Sequence, residues 1–366
     1  MSPMRRRTFL AVGSAGLAGL AGCTSLGGTG DGTPTPTAGP TDTPTPTATP
    51  AGSGSDLPDG VYVQRFRESM AMQGTGQAGD FAAGLMYAAP HAFWNVNGTD
   101  LQKTPREGSI HLMAVVWDPE TNTVLPETGV TVEILQDGDL VSQEVIYPML
   151  SQRMGFHYGG NFTLPSDGEY VGRVSIGGMS VRRTGAFRGK FGQSTTVDIP
   201  FAFDEAEREK VTVTELDAYG QRGAVKPMEM MMMPQATALP ASELPNVLGS
   251  PKSDDAVLVT GITEPPDGVE GAGEYLYVSA RTPYNGLVLP AMGLAAVVEG
   301  GGGTTYEGPL RRTFDPDLGY HYGAAVDGSV ESGDTVILDP TVPPQVARHE
   351  GYERAFLQME PVQITV

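Results

Sequence analysis

Two stretches of this chain repeat one spacing. "TNTVLPETGV" at 121–130 is answered by "YNGLVLPAMGL" at 284–294, and "RMGFHYG" at 153–159 by "DLGYHYG" at 317–323. Pro126 and Pro290 are 164 residues apart, and so are His157 and His321. An offset kept over this distance without a gap predicts two copies of one folded unit. It also lets the copies be compared residue by residue. His111 falls on Tyr275, Met113 on Tyr277, Met149 on Thr313 and Met154 on Leu318. Only His157 keeps its counterpart, so the shared glycine, histidine and tyrosine have a structural reading.

Each copy reads as short strands. "IHLMAVVWD", "VTVEILQDG", "EYVGRVSIG", "STTVDIPFAF", "AVLVTGIT", "EYLYVSART" and "DTVILDP" are rich in Val, Ile and Tyr and are bounded by Gly, Pro, Asp and Asn. No stretch carries a sustained helical period, and only "FDEAEREKVT" suggests a turn or two of helix. With 49 glycines and 30 prolines, the expected class is all-β, as two tandem immunoglobulin-like sandwiches. The expected boundaries are 57–205 for the first, 251–366 for the second, and 206–250 for a connection containing "MEMMMMP". That connection has two readings, a soft-ion scavenger or an apolar strap between the sandwiches.

The amino terminus belongs to neither copy. "MSPMRRRTFLAVGSAGLAGLAGC" places arginines before a short apolar run and ends in Leu20-Ala21-Gly22-Cys23. This pattern predicts a twin-arginine lipoprotein signal over 1–22, with lipid attached at Cys23. Cys23 is the chain's single cysteine, which leaves it no disulfide partner. Residues 23–56, rich in Thr-Pro, read as an extended spacer holding the folded part off the extracytoplasmic membrane face. Removing Arg5, Arg6 and Arg7 leaves 20 basic against 43 acidic side chains, a net of −23. That balance argues against a nucleic-acid partner and fits a surface hydrated in high salt.

Alternate residues of a strand share a face, so His111 and Met113 project together. Met149, Met154 and His157 lie on a glycine-containing connection able to fold against them. Imidazole and thioether together make a soft donor set suited to copper, with imidazole also suiting iron, zinc and nickel. The competing reading makes Met113 a core gap-filler and His157 a turn-fixing histidine. Met70, Met72, Met86 and His91 are weaker candidates for completing the set. His321 and His349 with Glu350 are candidates for a separate second-domain site.

The stretch "SIHLMAVVWD" followed by "YPMLSQRMGFHYGGNFTLPSDGEYVGRVSIG" resembles the bacterial periplasmic high-affinity iron-transport protein family, immunoglobulin-like proteins that bind copper and iron. The resemblance covers roughly residues 105–177. It implies that Met149 and His157 are metal ligands, with His111 on the first strand. Two departures stand out. Met113 occupies the place of the family's glutamate, and "GGMSVRRTGAFRGKF", where a later metal histidine is expected, has none. Exchanging oxygen for sulfur shifts preference from ferrous iron toward cuprous copper.

No nucleophile elbow, phosphate-binding glycine loop, zinc-protease motif or calcium loop occurs. The expectation is a lipid-anchored, non-enzymatic protein binding copper or iron. Its partners would be the membrane, a metal permease and, in one version, a second copy of itself. The rival expectation is a structural tandem sandwich with no metal site.

Overall fold

The computed structural model describes residues 57–271 and 273–366. The signal segment, Cys23 and the Thr/Pro spacer lie outside the described residues. Among those described, no helix is long and apolar enough to cross a membrane.

The strand Ile110–Asp118 explains the layering of the first half. All nine of its residues are buried, which requires cover on both faces. It sits inside a large sheet in the order Ala71–Ala78, Phe81–Ala88, Ile110–Asp118, Gly155–Phe162, Tyr147–Ser151, Ala347–Arg348, Phe93–Asn97, Asp100–Thr104. A four-stranded sheet of Thr195–Phe203, Gly168–Ile176, Val130–Gln136 and Asp139–Gln143 accompanies it. Thr195–Phe203 alternates, burying Val197, Ile199, Phe201 and Phe203 while its other face meets water, as a strand covered on one side must. The connecting segment packs on the opposite face of the large sheet. There the Met233 sulfur lies so close to Gly84 that a β-carbon at that glycine would collide with it.

The second half repeats the plan. Its larger sheet runs Arg182–Arg183, Arg311–Asp315, Gly319–Ala325, Tyr275–Arg281, Ala256–Thr263, Val247–Gly249. The smaller one is Gly303–Pro309, Gly293–Gly300, Thr335–Val342, Val362–Thr365. The fold is all-β and doubly sandwiched, as the strand pattern predicts. "FDEAEREKVT" supplies one short helix, Glu205–Glu209, capped by the Asp204 carboxylate accepting from the Glu207 amide at 2.9 Å.

The repeat extends to individual hydrogen bonds. The Thr128 amide donates to the Tyr158 hydroxyl at 3.1 Å, and the Met292 amide to that of Tyr322 at 3.1 Å. Leu125 donates to the Val116 carbonyl and Leu289 to that of Ala280, at 2.9 and 3.0 Å. Glu127 and Ala291 share a left-handed backbone, φ 62° and 58°. Every one of these pairs keeps the 164-residue offset.

The halves are not separate beads. Ala347–Arg348, from the second half, pairs in parallel with Met149 and Leu150 of the first. Arg182–Arg183, from the first half, pairs in parallel with Thr313 and Phe314 of the second. Each larger sheet is therefore completed by its neighbour. Arg348 is fully buried, its guanidinium donating to the carbonyls of Ala355 and Pro344. Both terminal nitrogens of the guanidinium are thus engaged within the second half itself, while Nε has no protein partner.

Exchange of this kind couples the halves thermodynamically. Calorimetry of the 57–366 chain should give one cooperative transition, and a fragment ending at residue 250 should lack a sharp one. Two independent transitions would contradict the coupling.

Candidate metal centre

His111 and His157 are placed by register. Asn161 pairs with His111 across the Gly155 and Ile110 strands, and Met149 pairs with His157 across the Tyr147 and Gly155 strands. Directly opposed residues in an antiparallel pair share a face. His111, Met149, His157 and Gly159 therefore all project from the side of the sheet away from its four-stranded partner. His91 follows the turn at Pro90, where the missing amide hydrogen suits the end of the Phe81 strand. His349 arrives immediately after the exchanged strand from the second half.

Four of the chain's five histidines meet here. Ligand nitrogens of His91, His111 and His349 lie within 4.8 Å of one another. The His91 ring is 4.0 Å from that of His111 and stacks on His349 at 4.7 Å, centroid to centroid. His157 stands edge-on to His349 at 5.5 Å. A β-carbon at Gly159 would lie 2.8 Å from both His111 Nε2 and Met149 Sδ. That glycine keeps the space between nitrogen and sulfur open, which any larger residue would fill.

Hydrogen bonds fix which nitrogen faces inward. Asn161 donates its amide N–H groups to the carbonyls of His91 and Pro105, at 3.0 and 3.1 Å. Its Oδ1 is left to accept from His111 Nδ1 at 2.8 Å. His157 Nδ1 donates to the Gly155 carbonyl at 3.0 Å and His91 Nδ1 to that of Ala89 at 3.2 Å. Each of these three rings then carries its proton on Nδ1 and an unshared pair on Nε2. All three Nε2 atoms are buried without a partner, and so are both nitrogens of His349. Buried polar atoms are rarely left unsatisfied, and four adjoining rings with nitrogens that no described protein group engages form a donor set that could hold a metal ion.

Burial also keeps these rings neutral. Desolvation draws His91 and His157 down to about 4, and His111 and His349 well below the ordinary histidine value, with neighbouring imidazoles adding to the depression at His91, His111 and His349. A cavity of about 470 Å³ reaches from the surface to His91 and His349, walled by Glu68, Glu350, Trp94 and Tyr219. Glu68 Oε2 lies 3.9 Å from His91 Nδ1. The Glu350 carboxyl is raised to about 7, chiefly by burial and then by the nearby Glu68.

Of the ligands expected from sequence, His111, Met149, His157 and the weaker candidate His91 are brought together. Met113, Met154 and Met86 lie in the main apolar core, with Met70 and Met72 packed against it. Met149 instead belongs to a small cluster with Phe93 and Ala347, beside the histidines. The separate second-domain site of His321, His349 and Glu350 needs correction. His349 joins the first half, and His321 Nε2 is occupied by the Tyr275 hydroxyl at 2.9 Å. The residue sequence reading missed was His349 as a ligand of the first half. "SVRRTG" at 180–185 and "QVARHEG" at 345–351 carry its signal, since Val181-Arg182-Arg183-Thr184 matches Val346-Ala347-Arg348-His349 at an offset of 165.

Comparison with known proteins adds little at the level of sequence. Residues 239–365 match the family model of a domain of unknown function, DUF7350, which spans less than half the chain. No curated protein matches. Two solved structures resemble a portion of the chain. One is a copper-bound variant of FetP from uropathogenic Escherichia coli, 16% identical, TM-score 0.29, covering 37% of this chain and 97% of that one. The other is a copper-bound variant of P19 from Campylobacter jejuni, 19% identical, TM-score 0.28, covering 37% and 96%.

Two outcomes follow from the geometry. Gly159→Ala places a methyl between His111 and Met149 and should abolish tight metal uptake while leaving the β-sheet circular dichroism intact; full uptake by a folded G159A chain would contradict the proposed coordination space. The pH dependence has a definite sign. Folded-state histidine values lie below 6.5, so the unfolded chain takes up protons first as pH falls. Stability is whole above about 6.5 and is lost between there and 4, at up to roughly 1.4 kcal/mol per pH unit for each ring. Urea titrations of the metal-free protein should show this slope, and a flat profile would mean the rings titrate in the fold as they do in the unfolded chain.

Proposed function

We propose that this protein binds a single transition-metal ion, preferentially copper, through imidazole nitrogens and the Met149 thioether, outside the cytoplasmic membrane. The observation that carries the reading is the set of inward-facing Nε2 atoms of His91, His111 and His157, with His349 between them and no protein donor satisfying any of them. Neutral imidazole and thioether are soft to borderline donors, and copper is the first-row metal that best accepts both. No carboxylate joins the three-histidine group within 4.8 Å, which weakens the case for ferrous iron. The rings' low proton affinity also leaves them free to ligate at neutral pH, where a charged imidazole would repel a cation.

The cavity between Glu68, Glu350 and Trp94 supplies the route by which an ion reaches His91 and His349. The role is binding and transfer, with no bond made or broken in a substrate. The twin-arginine and Leu-Ala-Gly-Cys patterns support delivery of the folded chain to the outer membrane face, anchored at Cys23, where a metal permease is a fitting recipient.

Cuprous-copper competition titrations should give one ion per chain. His157→Ala and His349→Ala should each weaken binding by roughly 100-fold, the scale on which metal sites respond to loss of their supporting groups or more. Wild-type affinity in both variants would remove the site.

A further inference from the structure

The second half repeats the positions that form the first half's site, and a guanidinium reaches them. His321 repeats His157 down to its turn: His321 Nδ1 donates to the Gly319 carbonyl at 3.0 Å, as His157 Nδ1 does to that of Gly155. The two glycines have φ 65° and 70°. From Nε2 outward the halves diverge. His157 Nε2 has no partner, whereas His321 Nε2 accepts from the Tyr275 hydroxyl at 2.9 Å. Tyr275 stands where the first half has His111. The Tyr275 oxygen in turn accepts from an Arg182 Nη at 2.6 Å. The same guanidinium donates to the Gly323 carbonyl at 2.9 Å and, through Nε, to the Thr313 hydroxyl at 2.9 Å.

Thr313 is the counterpart of Met149, and Gly323 that of Gly159. Arg182 therefore reaches the positions that border the metal cavity in the first half. It does so from the exchanged strand, opposite Thr313, just as Ala347 lies opposite Met149. The donor set has changed to match. An imidazole-and-sulfur lining became a phenol, a hydroxyl and a carbonyl, which are the hard oxygen acceptors that a guanidinium prefers.

We propose that Arg182 is a resident cation in the second half's copy of the ligand cavity, so that the chain carries one exchangeable metal ion and not two. The sense in which the cavities are copies rests on reading the first as a metal centre. The second cavity's own ligand would be a soft transition-metal ion, admitted once the arginine and its oxygen acceptors are replaced.

Each replacement is dictated by the matching residue of the first half's site: Arg182→Ala for Ala347, Thr184→His for His349, Tyr275→His for His111 and Thr313→Met for Met149. The full chain carrying R182A/T184H/Y275H/T313M should bind two cuprous ions where wild type binds one. With His111→Ala added, it should bind one where H111A alone binds none. A folded quadruple variant that gains no copper overturns the inference. Wild type without copper, beside a quadruple variant with one, would remove the first centre and leave the resident-cation reading standing. Should the quadruple variant not fold, R182A alone decides. Losing a half-buried guanidinium that satisfies three acceptors should lower the thermal midpoint by roughly 4–8 °C, and millimolar methylguanidinium should restore about half of that loss. R182A as stable as wild type, or indifferent to methylguanidinium, overturns it.

Discussion

Two strand pairings, each only two residues long, determine where the chemistry of this molecule lies. Ala347–Arg348 crosses into the first half and Arg182–Arg183 crosses into the second. Without the first crossing His349 has no reason to meet His91, His111 and His157. Without the second, Tyr275 and His321 face an unfilled space. Short parallel pairings are weak on their own. These persist because each is continuous with a buried core: Arg348 hydrogen-bonds inside the second half's tail, and Thr184 donates to Asp315 Oδ2 at 2.6 Å. The fold and the candidate site are thus one problem, since the histidines meet where the halves pair.

The histidine cluster concentrates lone pairs. The Nε2 atoms of His91, His111 and His157 and both nitrogens of His349 take no hydrogen bond from any described protein group. The cavity that reaches His91 and His349 opens to solvent. In the second half His321 engages Tyr275 and Gly319 instead. On the proposed reading, an ion bound in the first half would join residues from both halves, so binding and stability would rise together.

Much of this was legible in the residues. The all-β class followed from Val-, Ile- and Tyr-rich runs between glycines and prolines, and the 164-residue offset fixed which residues correspond. The sequence named His111, Met149 and His157 through donor chemistry and a family resemblance, and strand register brings the three to one face of the sheet. Met113 and Met154 show where that reasoning stops. Strand alternation places Met113 on the same face as His111, but a sheet face is wider than a coordination sphere. Two residues along a strand separate their side chains by about 7 Å, enough to move one from site to core. His349 was obscured for a different reason. Its local signal, Val-x-Arg-His against Val-Arg-Arg-Thr, was present at an offset of 165. Aligning the repeat could match the segments, but only the crossed pairing shows that each serves the opposite half.

The crossing also explains why the two copies could diverge so far in chemistry while keeping their backbone. In a symmetric pair, a substitution at one cavity would appear in both. In a single chain the two cavities are encoded separately, so one can keep imidazole and sulfur while the other becomes an oxygen cradle for Arg182. The shared features are those the backbone requires: the left-handed Gly155 and Gly319, the Nδ1–H bonds to their carbonyls, and the Tyr158 and Tyr322 hydroxyls taking amides 30 residues upstream. The divergent features all lie beyond Nε2. Inward-facing buried polar atoms find partners in protein, water or an ion. Arg182 supplies one in the second half with a charge the chain makes for itself, and on the proposed reading an external cation would supply one in the first.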